Sequence, residues 1–196
     1  MAELRIGCLV MAAGSGSRFG RNKLEAVVDG KSLLRRSLEA VPAEEFVQVT
    51  VVTQYDAAAA LAEEFGFTVV RNDRPEDGLS RTVRLGTEAM AGCGAILYQV
   101  ADQPLLEQET VRRELEYFRA HPDHIVGLAH NGVRGNPCIF PRKFFPELMA
   151  LEGDVGGSAV IRAHPDALLL YETSAAELRD VDTVEALAAV QEDRQI

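Results

Sequence analysis

The chain has 196 residues, 47% hydrophobic and 26% charged, and its 30 acidic against 20 basic side chains give a formal net charge of −10. A chain of this length buries about 70% of the surface its unfolded form exposes, so it needs no metal or disulfide staple and is expected to form one domain over residues 1–196. The acidic balance argues against non-specific binding to nucleic acid, and an anionic substrate has to be met by a local cluster of cations and metal.

Cys8, Cys93 and Cys138 are odd in number and lack C-x-x-C spacing, so they read as reduced thiols rather than a disulfide framework or zinc site. The first residues carry no signal-peptide pattern, and no stretch approaches about 18 consecutive apolar residues; a cytoplasmic protein without membrane contact is expected.

In chain order, an apolar run over residues 4–11 predicts a strand that breaks into the loop of LVMAAGSGSRFGRNK, residues 9–23. Gly14, Gly16 and Gly20 let the loop backbone approach a ligand and aim its N–H groups at phosphate oxygens, while Arg18 and Lys23 add positive charge. The dinucleotide fingerprint does not fit, because the sixth position counted from Gly14 is Phe19. A Walker loop does not fit either, because Arg21 and Asn22 separate Gly20 from Lys23. A plain strand-to-helix turn is the alternative. Gly30-Lys31-Ser32 reads as a turn opening a helix.

Ser32 precedes Leu33, Leu34, Leu38 and Val41, a helical spacing that stops at Pro42. A β-branched strand over 47–53, a helix over 56–65 capped by Asp56 and a strand over 67–70 follow. Alternation of strand and helix predicts an α/β fold with a mostly parallel sheet. The turn Asn72-Asp73-Arg74-Pro75-Glu76-Asp77-Gly78 leads into a helix from Leu79, whose first turn holds Ser80 and Arg81. Its free N–H groups suit an anion or a base edge, unless Ser80 and Asp77 are ordinary caps.

A strand over 95–100 delivers Ala101-Asp102-Gln103-Pro104. Ligands of open parallel sheets lie beyond the carboxyl ends of the strands, so Asp102 is the leading metal ligand, with a capping role before the helix over 107–120 as the alternative. A strand over 125–129, a short strand at Cys138-Ile139-Phe140 after Gly135-Asn136-Pro137, and a helical turn or two over 144–151 come next. His121 and His124 read as a helix end and its loop. The loop Gly153-Asp154-Val155-Gly156-Gly157, a last strand over 167–171, and Asp180 and Asp182 before a final helix complete the pattern.

The loop residues Ala12, Ala13, Gly14, Gly16, Arg18, Phe19, Gly20 and Lys23 resemble the A-A-G-x-S/G-x-R-M/F-G-x-x-K signature of the nucleotidyltransferases that include the molybdenum cofactor cytidylyltransferases. The resemblance covers nearly the whole chain. It implies a three-layer Rossmann-like nucleotidyltransferase fold, with a nucleotide held by Ala12, Ala13, Gly14, Gly16, Arg18, Lys23, Gly78, Ser80 and Asp102. It also implies catalysis by Arg18, Lys23 and Asp102, Mg²⁺ on Asp102 and Asp182, and an acceptor at Asn136, Pro137, Gly153 and Asp154. Asp180 is the alternative second ligand, and a capping role the alternative for Asp182.

Three positions depart from the family pattern. Asn136 stands for the commoner histidine, Ser158 for an arginine and Val184 for a proline. The implied reaction moves CMP from CTP to a phosphorylated small molecule, molybdenum-loaded molybdopterin, with transient contact to a molybdoenzyme. A cytidylyl- or guanylyltransferase acting on a sugar or polyol phosphate, or a non-catalytic cofactor chaperone that binds nucleotide, are the alternatives.

Overall fold

In a computed structural model, which describes residues 4–14, 22–183 and 185–188, the apolar runs become a seven-stranded sheet with helices on both faces. The strands in chain order are β1 (Ile6–Ala12), the two-residue pair β2 (Val27–Val28) and β3 (Lys31–Ser32), β4 (Gln48–Thr53), β5 (Thr68–Arg71), β6 (Ala95–Val100), β7 (Ile125–His130), β8 (Val133–Pro141) and β9 (Leu168–Glu172). The main sheet runs β5-β4-β1-β6-β8-β7-β9, and β2 and β3 form a separate hairpin through the turn at Asp29 and Gly30. Pairing is parallel except where β8 runs against β6 and β7.

The helices are α1 (Leu33–Glu39), α2 (Asp56–Glu64), α3 (Leu79–Ala89), α4 (Gln108–Ala120), α5 (Phe145–Met149) and α6 (Ser158–Ala163). Cys8 and Val10 of β1 pack under α1, α2 and α4, whereas Leu9 packs with α3, α5 and α6 on the opposite face. Both faces are covered, so β1 reads as a continuous apolar run rather than an alternating one. Ser32 caps α1 as its position predicts, its Oγ accepting the Arg35 N–H at 3.2 Å. Asp56 is the first helical residue of α2 rather than its cap, which is Tyr55; a carboxylate there still faces the positive end of the helix.

From β1 the chain crosses to β4 on one side, and later to β6 on the other. That reversal opens a crevice beyond the carboxyl ends of β1 and β6, the place where open α/β sheets bind ligands. The antiparallel β8 starts at the same edge. It pairs with β6 only over Cys138–Pro141 of its length, and its register against β7 shifts between Gly127 and Ala129. The three-residue strand expected at residues 138–140 is therefore the paired end of a nine-residue one. Gly135 and Pro137 hid the rest by breaking the apolar alternation. The peptide between Asn136 and Pro137 is cis. Among the described residues no helix is long and apolar enough to cross a membrane, and the three cysteines are buried free thiols.

Candidate active site

The end of β1 is tied down by the last residue of β4 and the two that follow it. Thr53 Oγ1 donates to the Ala12 carbonyl at 2.9 Å, Gln54 Nε2 to the Ala13 carbonyl at 2.8 Å, and the Tyr55 hydroxyl to the Gly14 carbonyl at 2.9 Å. A trans peptide sets its N–H opposite its C=O, so carbonyls drawn toward β4 turn the N–H groups of Ala13 and Gly14 toward β6. Sequence reasoning missed Thr53, Gln54 and Tyr55 in this role. Their signal was a polar run ending a strand that a parallel sheet sets beside β1. Gly16 and Arg18 lie outside the described residues.

Lys23 opens a short 3₁₀ turn, Lys23–Glu25, capped by the Asn22 side chain and anchored by buried Leu24. Its Nζ donates to Asp102 Oδ2 at 2.5 Å and to Asp182 Oδ1 at 2.8 Å. Asp102 is the second residue beyond the end of β6. Asp182 is brought across from the far end of the chain because Val181, fully buried with Ala26, Val28 and Leu33, donates its N–H to the Asp102 carbonyl at 2.9 Å. Gln103 Nε2 holds the Leu178 carbonyl at 3.2 Å and fixes the same segment.

Burial works against the Lys23 ammonium, but the charge of Asp102 and hydrogen bonds to both aspartates outweigh it and raise its pKa. Asp180 is pushed up to about 6 by burial and then by the charges of Asp102 and Asp182. Among the described residues no three His, Cys, Asp or Glu side chains form a ready metal cage. Asp102 Oδ1, however, is buried without a partner. A carboxylate with one free oxygen beside a second carboxylate suits a hard divalent cation, which takes one or two such groups and completes its shell with phosphate and water oxygens.

Ala13, Gly14, Lys23 and Asp102 line one cavity of about 220 Å³ between β1 and β6. Ser80, expected at the nucleotide, is fully buried. The N–H groups at the start of α3 are also taken: Leu79 N donates to Asp154 Oδ1 at 3.3 Å and Ser80 N to the Gly153 carbonyl at 3.2 Å. Gly153 and Asp154, expected at the acceptor, thus cap α3 in the structure. Gly78 has φ +84°, and a Cβ there would lie 2.5 Å from the Gly153 backbone, so only glycine lets the two loops meet.

Two further cavities adjoin. One of about 120 Å³ lies over Tyr98 and Phe140 and shares Met11, Leu79 and Val100 with the first. Another, of about 490 Å³, runs from Arg134 to Gln103 and Asp180. Asn136 lines both, as does Arg134, which sequence reasoning did not single out. Pro137 continues β8.

Comparison with known proteins bears on the family and the fold. A model of the MobA-like NTP transferase domain matches residues 8–168. Over 124 residues the chain is 30% identical to the bifunctional protein GlmU of Bifidobacterium animalis, covering 59% of this chain and 27% of that one. Over 118 residues it is 29% identical to the 2-C-methyl-D-erythritol 4-phosphate cytidylyltransferase of Dehalococcoides mccartyi, covering 57% of this chain and 52% of that one. The matches thus span about half the length of these relatives, or less. The fold is shared with Rv0371c of Mycobacterium tuberculosis, at a TM-score of 0.81 and 23% identity over 96% of this chain and 98% of that one. It is also shared with the molybdopterin-guanine dinucleotide biosynthesis protein A of Archaeoglobus fulgidus, at a TM-score of 0.72 and 15% identity over 96% and 98% of the two chains. The chain belongs to the MobA-like NTP transferase family, and the domain it carries is a nucleotidyltransferase.

Proposed function

We propose that the domain transfers CMP from CTP to the phosphate of molybdenum-loaded molybdopterin, releasing pyrophosphate, and that it does so with Mg²⁺ in the cytoplasm, meeting a molybdoenzyme transiently. The observation that carries this reading is the Lys23 bridge between Asp102 and Asp182 at the carboxyl end of β6, beside the loop at the end of β1. The archaeal neighbour, a molybdopterin-guanine dinucleotide biosynthesis protein, supports the choice of acceptor.

In the reaction a phosphate oxygen of the acceptor attacks the α-phosphorus of CTP. The bond from that phosphorus to the oxygen bridging to the β-phosphate breaks, and pyrophosphate leaves with the electron pair. A phosphate monoester has a second pKa of about 6 and is largely dianionic at neutral pH, so the nucleophile needs no general base. Ala13 and Gly14 donate N–H groups to phosphate oxygens, and Arg18 grips the terminal phosphates. Lys23 follows the negative charge that moves toward the β-phosphate, so catalysis is mostly positioning and electrostatics. Asp102 and Asp182 would hold Mg²⁺, which when bound neutralises phosphate charge and fixes the triphosphate.

A second reading has a polyol phosphate as acceptor, and the identity with the methylerythritol phosphate cytidylyltransferase favours it. The test is incubation with CTP or GTP, Mg²⁺ and molybdenum-loaded molybdopterin, with pyrophosphate measured and products identified by mass. A cytidylylated pterin is expected. Turnover with methylerythritol phosphate alone would establish the second reading, and nucleotide binding without pyrophosphate release would leave a carrier.

A further inference from the structure

The register shift between β7 and β8 turns the start of β8 toward the crevice, and Arg134 is carried there with Asn136. Room for the arginine stem comes from Gly127, where a Cβ would lie 3.3 Å from Arg134 Cγ and 3.0 Å from Cys138 Sγ. Arg134 Nη1 donates to the Gly135 carbonyl and to Cys138 Sγ, each at 3.2 Å, and Nη2 donates to Ser158 Oγ at 2.8 Å. All three partners are neutral. Among the described residues Arg134 forms no ion pair, and its Nε–H has no acceptor.

Asn136 offers a side-chain amide with no partner among the described residues. Ser158, having accepted from Arg134, still has its own proton to donate. These three donors line the 120 Å³ cavity, in which Arg134 is the one charged residue among those described. A half-buried guanidinium with only neutral partners lacks the counter-charge that would offset its desolvation, and its planar fork matches an oxyanion. Arg134 and Asn136 also border the larger cavity, which reaches Gln103 and Asp180 next to Asp102.

We infer that Arg134, Asn136 and Ser158 form a receptor for a compact oxyanion, phosphate or carboxylate, on the second substrate, and that Arg134 selects acceptors so charged. The inference rests on the reading of this crevice as the site of group transfer. Its floor is apolar, with Tyr98 and Phe140 edge-to-face at 5.4 Å between ring centroids.

The direct test follows the Arg134 Nε–H resonance, assigned by its loss in Arg134→Gln, while the full chain is titrated separately with inorganic phosphate, acetate and glycerol. A saturable shift with either anion and none with glycerol is expected; phosphate alone would mark a phosphorylated group, acetate alone a carboxylated one. No shift with either anion overturns the inference. With a turning-over acceptor, Arg134→Lys, which keeps the charge but loses the fork, should raise the acceptor KM by about tenfold and leave that for CTP within about twofold. Ser158→Ala should move the acceptor KM in the same direction by a smaller factor. An unchanged acceptor KM in Arg134→Lys overturns the inference as well. If no acceptor turns over, the proposed reaction fails on its own, and the titration still decides the anion site.

Discussion

Among the described residues Lys23 is the one cation that touches both aspartates, with 15% of its side chain exposed. Its raised pKa keeps it charged through the neutral range, so it acts as a fixed positive charge rather than a proton donor. An interaction that strengthens as charge moves to the departing pyrophosphate shows in kcat, and one felt equally by bound CTP shows only in KM. Lys23→Ala should therefore lower kcat by about 10²–10³, roughly 3–4 kcal/mol, the scale for deleting one preorganised donor. Pyrophosphate release at saturating CTP measures it. A parent-like kcat with weaker CTP affinity would make Lys23 a binding cation only. Asp102→Asn keeps the backbone carbonyl that holds Val181, so its circular dichroism should match the parent. The same variant should nearly abolish turnover, because the amide cannot supply the carboxylate oxygen that is left without a partner. Normal activity of Asp102→Asn at limiting Mg²⁺ would remove this residue from the metal site.

At the scale of elements, α4 carries an anomaly: Glu114 is fully buried on its apolar face, and neither carboxyl oxygen has a partner. Burial raises its pKa well above the ordinary 4.5, so the folded chain holds a proton that the unfolded chain gives up. Stability from this group is complete below about pH 4.5. It then falls with rising pH by up to about 1.4 kcal/mol per unit until the folded-state pKa is passed. Glu114→Gln cannot titrate, so its Tm relative to the parent should be several degrees more favourable at pH 7.5 than at pH 5. A Tm difference that stays constant with pH would mean that the carboxylate is paired. Gly78→Ala tests the junction of the two loops, where the added methyl meets the Gly153 backbone at 2.5 Å and a positive φ is forced on alanine. A loss of about 1–3 kcal/mol in denaturant unfolding is expected, together with a raised KM for both substrates.

These elements also mark what was legible in the sequence. The parallel half of the sheet was readable because each strand is a dense apolar run bounded by turn residues, and the strand at Ala95–Val100 was bounded to the residue. Asp102 stood out as a carboxylate just beyond such a run, Lys23 as the cation closing the glycine loop, and Asp182 through the family resemblance. The part Asp154 plays at the start of α3 was not legible, because its contact with Leu79 joins residues 75 apart. Nor was α6, whose six residues are too few to show a helical period. Arg134 was hidden for a similar reason. In the sequence Ser158 stood out as a departure from the arginine that the resemblance implies, while the guanidinium reaches that hydroxyl from β8.

For the whole molecule, the net charge of −10 and the anionic substrate pose a problem that local chemistry solves. Within the screening length, about 10 Å at 0.1 M salt, the chain and an anionic nucleotide repel, and on the proposed reading what draws CTP in has to act at still shorter range, through the loop N–H groups, Lys23 and a divalent cation. A site built on a broad basic surface loses association rate steeply as salt screens its attraction. Here screening relieves repulsion at long range while the short-range contacts, partly buried, are weakened less. The kcat/KM for CTP, measured with Mg²⁺ in excess and CTP far below KM, should accordingly hold within about twofold or rise between 20 and 150 mM NaCl. A fall of about tenfold over that interval would mean that a positive field around the loop outweighs the charge of the whole chain.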